Sequence, residues 1–134
     1  MKFIVACGTS DGEKLTDDHF GESNYFYIYD LSGHDSKFVK KLENDTREED
    51  VDLGHGDPGK AKEVSQILKK ESVTVVLAHQ MGPNIIKISK RFVPVIYRGR
   101  EVDRAIDLLL DNIHLVEREW RKGEKRDYVV LDEE

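Results

Sequence analysis

The sequence predicts an α/β domain built on a mixed β-sheet, and three observations carry that expectation. The first third of the chain holds three strand-like segments, the last two joined as a hairpin. After residue 58, amphipathic helical segments alternate with short β-branched runs, a pattern that implies parallel strands joined by helical crossovers. The length, 134 residues, suits one domain with a real core.

Residues 2–7 are apolar on both faces, as a central strand covered from both sides requires. Cys7-Gly8-Thr9-Ser10-Asp11-Gly12 ends that strand with turn residues, and a loop continues to about Ser23. Residues 24–30, rich in Tyr, Phe and Ile, form the second strand. Residues 31–36 make the hairpin, and Lys37-Phe38-Val39-Lys40-Lys41-Leu42 returns with lysines that suit an exposed edge. Residues 43–52 are strongly acidic and read as a solvated loop. Asp57-Pro58 is a helix start, an N-cap side chain followed by proline at the first helical position. Ala61, Val64, Ile67 and Leu68 give this helix an apolar face to about Lys70.

Val73-Thr74-Val75-Val76-Leu77-Ala78 reads as a second buried strand with the exit loop His79-Gln80-Met81-Gly82. Pro83 opens a short helix with Ile85, Ile88 and Phe92 on one face. Residues 93–97 form the last strand, where Pro94 favours an edge position or a strand start because it has no N–H to donate. Val102, Ile106, Leu109, Leu110 and Ile113 mark a third helix over about 101–115. The domain therefore spans 1–116, and residues 117–134 are a charged C-terminal extension whose Tyr128-Val129-Val130-Leu131 patch suits a small strand, a docking segment or a disordered end.

The net charge of -6 disfavours nucleic-acid partners, because phosphates need a basic footprint. No apolar run approaches the roughly 20 residues that span a bilayer, and the N-terminus lacks a signal-peptide pattern, so the expected location is cytoplasmic. The single cysteine excludes an internal disulfide and a CxxC motif.

Topology partitions the five histidines. If the first strand runs upward, right-handed crossovers place the loops 7–23, 43–58, 78–83 and 97–101 at the top, outside the carboxyl ends of the parallel strands, where open α/β sheets bind ligands. His19, His55 and His79 fall at the top, and His34 and His114 at the bottom. His19, within Asp17-Asp18-His19-Phe20-Gly21, reads as a metal or cofactor ligand or as a residue that orders its own turn. His55 sits between glycines ahead of a helix start, as a ligand contact or as part of a surface loop. His79 ends a buried strand, as a ligand or as a strand-end histidine satisfied by backbone carbonyls. Cys7, at the top of the first strand, reads as a thiolate metal ligand or as a small buried hydrophobe. Gly54-His55-Gly56-Asp57-Pro58-Gly59-Lys60 imitates a phosphate-binding loop, but Ala61 stands where Ser or Thr would meet magnesium. No nucleophile elbow is present.

Asp18-His19-Phe20-Gly21, the aromatic run 25–29, the histidine-bearing loop before a helix and Met81-Gly82-Pro83-Asn84, in that order over roughly residues 1–115, resemble the dinitrogenase iron-molybdenum cofactor biosynthesis family of small carrier-type domains. The resemblance implies a ribonuclease H-like three-layer α/β/α sandwich with a mixed five-stranded sheet. It also implies non-catalytic binding or carriage of an iron-sulfur or iron-molybdenum type cluster or its precursor, exchanged with a donor or acceptor protein by a monomer or weak homo-oligomer. Carried onto this chain, His19 is the leading ligand, Gly21 and Gly82 shape the site, and His55 and His79 join it. The alternatives are a small metal-assisted or nucleotide-dependent hydrolase at the same end of the sheet and an anion-binding regulatory module.

Overall fold

The computed structural model describes residues 2–44, 58–83 and 85–132, with the backbone alone for 58–63. The sheet has six strands, β1 (Lys2–Thr9), β2 (Tyr25–Ser32), β3 (Asp35–Glu43), β4 (Val75–Ala78), β5 (Val93–Tyr97) and β6 (Val129–Leu131), in the order β3-β2-β1-β4-β5-β6. β1 pairs antiparallel with β2 and parallel with β4, and the parallel ladder continues through β5 to β6. The early hairpin and the later crossovers thus meet on β1, whose Phe3, Val5, Ala6 and Cys7 are all at most 1% exposed.

Alternation along the strands sends side chains into two cores. Val5, Cys7, Leu77, Val95 and Tyr97 face α3 (Val102–Asp111) and α4 (Ile113–Trp120). Ala6, Phe26, Ile28, Val76 and Ala78 face α1 (Pro58–Lys70), α2 (Ile85–Ser89) and the short turn at Phe20–Glu22. Helices on both faces make three layers. α3 buries Val102, Ala105, Ile106 and Leu109 at spacings of three and four, each of the larger ones contributing about 1.5–3 kcal/mol of apolar burial.

Two expectations change, and two are resolved between alternatives. The sheet has six strands rather than five, because residues 129–131 of the extension add a parallel strand beside β5. Of the three readings of the Tyr128-Val129-Val130-Leu131 patch, the small strand is the one that forms, and α4 begins inside the expected domain and runs to Trp120. The helix expected over 101–115 breaks at Asn112, whose φ of -118° and ψ of 24° leave the helical region and whose side-chain amide donates to the Leu108 carbonyl. Pro94 lies in a strand with neighbours on both sides, but it is the second residue of β5 and the pairing to β6 starts only at Val95. Since Val93 donates to Thr74 on the β4 side, alternation points the nitrogen of Pro94 toward the β6 side, ahead of the first pair. The edge strand β3 carries its lysines as expected and a register shift opposite Ile28/Tyr29, both of which blunt pairing with another chain.

Besides the burial of Val129 and Leu131 in the α3-side core, two polar side chains hold the extension. The Arg126 guanidinium lies 4.1 Å from the Trp120 ring centroid and donates to the carbonyls of Trp120, Ser89 and Lys90, so one cation serves the carboxyl ends of α4 and α2. Glu119 is 4% exposed and accepts from Lys122 at 2.9 Å and from the Asp127 N–H at 2.9 Å. Burial pushes its carboxyl up, but the Lys122 and Asp127 hydrogen bonds and the charges of Lys122 and Arg118 hold it below the usual range. A depressed carboxylate contributes stability that is present above its unfolded value of roughly 4.3 and lost as pH falls through the folded value. Glu119→Gln should therefore cost about 1–2 kcal/mol at pH 7, and its difference from the parent should shrink at about pH 3, checked by urea denaturation at both pH values.

Candidate functional site

The top of the sheet is where β1, β4 and β5 end. β1 leaves through Thr9 into a loop whose first turn is built by side chains: the Thr9 hydroxyl accepts the Gly12 N–H at 2.9 Å, and the Asp11 carboxylate accepts the N–H groups of Lys14 and Glu13, which hold it below the usual carboxylate range. The loop then crosses the top. Leu15 donates to the Arg100 carbonyl at 2.7 Å, Val102 donates to the Glu13 carbonyl at 2.8 Å, and Asp17 pairs with Arg100. Next it is stitched to the exit of β4: Phe20 donates its N–H to the Gln80 carbonyl at 2.9 Å, and the Gln80 side chain returns a bond to the Asp17 carbonyl at 2.8 Å.

This stitching seats His19. Its ring lies against Gly82, whose φ is +84°. A Cβ at Gly82 would meet Cγ and Nδ1 of His19 at 2.7 Å and its Cβ at 3.0 Å. Glycine is required there twice over, by the left-handed backbone and by the imidazole packed on it. His79 stands three residues earlier in the same exit segment and is half-buried. Its Nδ1 lies 3.0 Å from the Tyr97 carbonyl and 3.1 Å from the Gly99 carbonyl. One half-buried imidazole thus begins the segment 79–82, and the other, from a separate loop, rests on its last residue.

The other candidates separate. His55 lies outside the described residues. Among the described residues a Cβ at Gly21 would meet only Val64, at an ordinary 3.9 Å, and the Gly21 carbonyl accepts from the Asn44 side chain. Cys7 is a correction to the ligand set: it points into the core on the α3 side, is 0% exposed, and burial pushes its thiol up, away from the thiolate a metal needs. His34 is exposed in the hairpin at the opposite end, and His114 is exposed on α4. Among the described residues no group of three or more His, Cys, Asp or Glu side chains is arranged to hold a metal ion. No helix among them is long and apolar enough to cross a membrane.

Sequence reasoning missed Gln80, Tyr97, Gly99 and Arg100. All four act at the site through backbone carbonyls, which any residue type supplies. The one residue-level signal was Gly99: a Cβ there would strike the Tyr97 ring at 2.5 Å.

Fold and site together define a small α/β/α domain that presents loop histidines at the carboxyl end of a mixed sheet. The sequence profile of the family described as Dinitrogenase iron-molybdenum cofactor matches residues 1–112, and the chain belongs to that family. Solved structures share the fold. A Methanocaldococcus jannaschii protein, MJ0327, provisionally named a dinitrogenase, superposes in its crystal form with a TM-score of 0.60 at 21% identity, covering 84% of this chain and 91% of its own. Its solution structure gives 0.59 at 20% identity over the same shares. The crystal structure of PH0822 gives 0.58 at 20% identity, covering 94% of this chain and 96% of its own. A search of curated proteins returns no match.

Two outcomes test this geometry. Gly82→Ala should cost about 1–3 kcal/mol, from left-handed strain and the clash with His19, and should move the His19 ring signals in an NMR spectrum while leaving those of His34 unchanged. Cys7 should react with a thiol reagent such as DTNB only after unfolding in urea. Rapid labelling of the native protein would contradict its burial.

Proposed function

We propose that this chain binds and carries an iron-sulfur or iron-molybdenum type cluster, or a precursor of one, and does so without catalysing a reaction. The reading is supported most by a single observation: in a member of this family, the His19 loop is stitched to the exit of β4, so that His79 begins and His19 rests on one short segment at the end of the sheet. The strand order β3-β2-β1-β4-β5, with β2 alone antiparallel to β1, β4 and β5, also suits the ribonuclease H-like motif that the family resemblance implies.

The cargo would be a substrate that arrives with most of its own ligands. Two imidazoles are too few to enclose a metal, and they are well suited to hold a cluster whose bridging atoms complete the coordination, because neutral imidazole is an exchangeable donor. Reversible ligation is what a carrier needs. Under this reading the counterparts are a donor or acceptor protein, the location is the cytoplasm, and the carrier is a monomer or weak homo-oligomer.

Anaerobic incubation with iron and sulfide, or with an extracted cluster, should give a visible chromophore and bound metal. His19→Ala and His79→Ala should each weaken uptake by on the order of tenfold or more, in line with the sensitivity of metal sites to their surrounding shell. His34→Ala should leave uptake unchanged. Full uptake by the His19/His79 double variant would exclude this site, and turnover of a phosphate ester without cluster uptake would favour a hydrolase.

A further inference from the structure

The environment of His79 decides which of its atoms can meet a ligand. Both neighbours of Nδ1 are backbone carbonyls, of Tyr97 at 3.0 Å and of Gly99 at 3.1 Å. A carbonyl oxygen only accepts, so Nδ1 must carry the hydrogen and share it between the two oxygens. In the neutral ring the lone pair then sits on Nε2, across the ring from Nδ1. A carbonyl that takes the second ring N–H is the usual outer partner of a metal-binding histidine: it fixes the tautomer and the ring plane and raises the basicity of the donor nitrogen.

We infer that the Tyr97 and Gly99 carbonyls are positioning groups that lock His79 in its Nδ1–H form, so that Nε2 is the single metal donor of this side chain. This rests on the metallocluster reading above for its ligand class, a thiophilic or borderline metal accepting one neutral imidazole. Gly99 is a positioning residue through its geometry. Its carbonyl is one of the two acceptors, and a methyl group at Gly99 would meet the Tyr97 ring at Cζ and Oη, both at 2.5 Å. Tyr97 is 3% exposed within the α3-side core, so its ring has little room to yield and the strap between the two carbonyls must shift instead.

The test uses the full chain, ¹⁵N-labelled, near pH 8, with His79 assigned by comparison with His79→Gln. Without metal, His79 should show a protonated, pyrrole-type Nδ1 and an unprotonated Nε2. A proton on Nε2, or averaging between the two forms, overturns the proposal. Zn²⁺ is then added as the probe. A coordination shift at Nε2 with Nδ1 keeping its proton supports the assignment, and loss of the Nδ1 proton to the metal, or no change at either nitrogen, overturns it. Gly99→Ala should mix the tautomers and weaken Zn²⁺ binding about tenfold, the low end of what outer partners contribute. A parental tautomer and affinity in that variant would remove Gly99 from the positioning role. The measurements on the parent protein stand whether or not the variant folds. A locked tautomer with Zn²⁺ at Nε2 but no uptake of any cluster would count against the carrier reading alone.

Discussion

The carboxyl end of the sheet is organised by the seating of one loop on another. The chain leaving β1 must cross to β2, and on the way it lays Phe20 against the exit of β4, where the Phe20 N–H meets the Gln80 carbonyl and the His19 ring rests on Gly82. The contact works because Gly82 has no side chain and adopts a left-handed φ of +84°. Any other residue would push the imidazole away and strain its own backbone. Phe20 anchors the arrangement from beneath, 1% exposed, 5.0 Å from Phe26 between ring centroids. The same loop is tied on its other side to residues 100–102 by backbone bonds and by Asp17 with Arg100. Three strand ends are thereby fastened to a single crossing segment.

That fastening fixes two imidazoles by different means. His19 is placed by packing against a glycine, and His79 by hydrogen bonds from its Nδ1 to two carbonyls. One is a steric constraint and the other an electrostatic one, and both come from backbone held rigidly by the parallel ladder beneath. Both rings are oriented by the protein itself, so neither needs a ligand to hold its place.

The far end of the molecule completes the sheet. The family match ends at residue 112, and the remaining chain forms a helix, a turn and a sixth strand that covers the β5 edge. A three-residue strand makes few hydrogen bonds, so its hold draws on the burial of its own Val129 and Leu131 and on the side chains that precede it, Arg126 across two helix ends and Glu119 with its buried carboxylate. The charged residues of this stretch supply that clasp.

The alternation of apolar residues by itself determined that the chain is an α/β domain, that β1 and β4 are buried on both faces, and that β2 and β3 form a hairpin. From strand order and crossover handedness it also determined which end of the sheet receives the loops bearing His19 and His79 and which receives His34, because chain direction is fixed once the parallel strands are recognised. Only the tertiary structure decided that Cys7 faces a closed core, that β6 joins the sheet, and how His19 and His79 are held. A thiol at a strand end looks the same in sequence whether it points into the core or out of it. The three apolar residues of β6 are too short a run to outweigh the charges around them until β5 offers an edge. Backbone carbonyls and the empty space over a glycine carry no residue signature, so the groups that orient both histidines become visible only when distant segments meet.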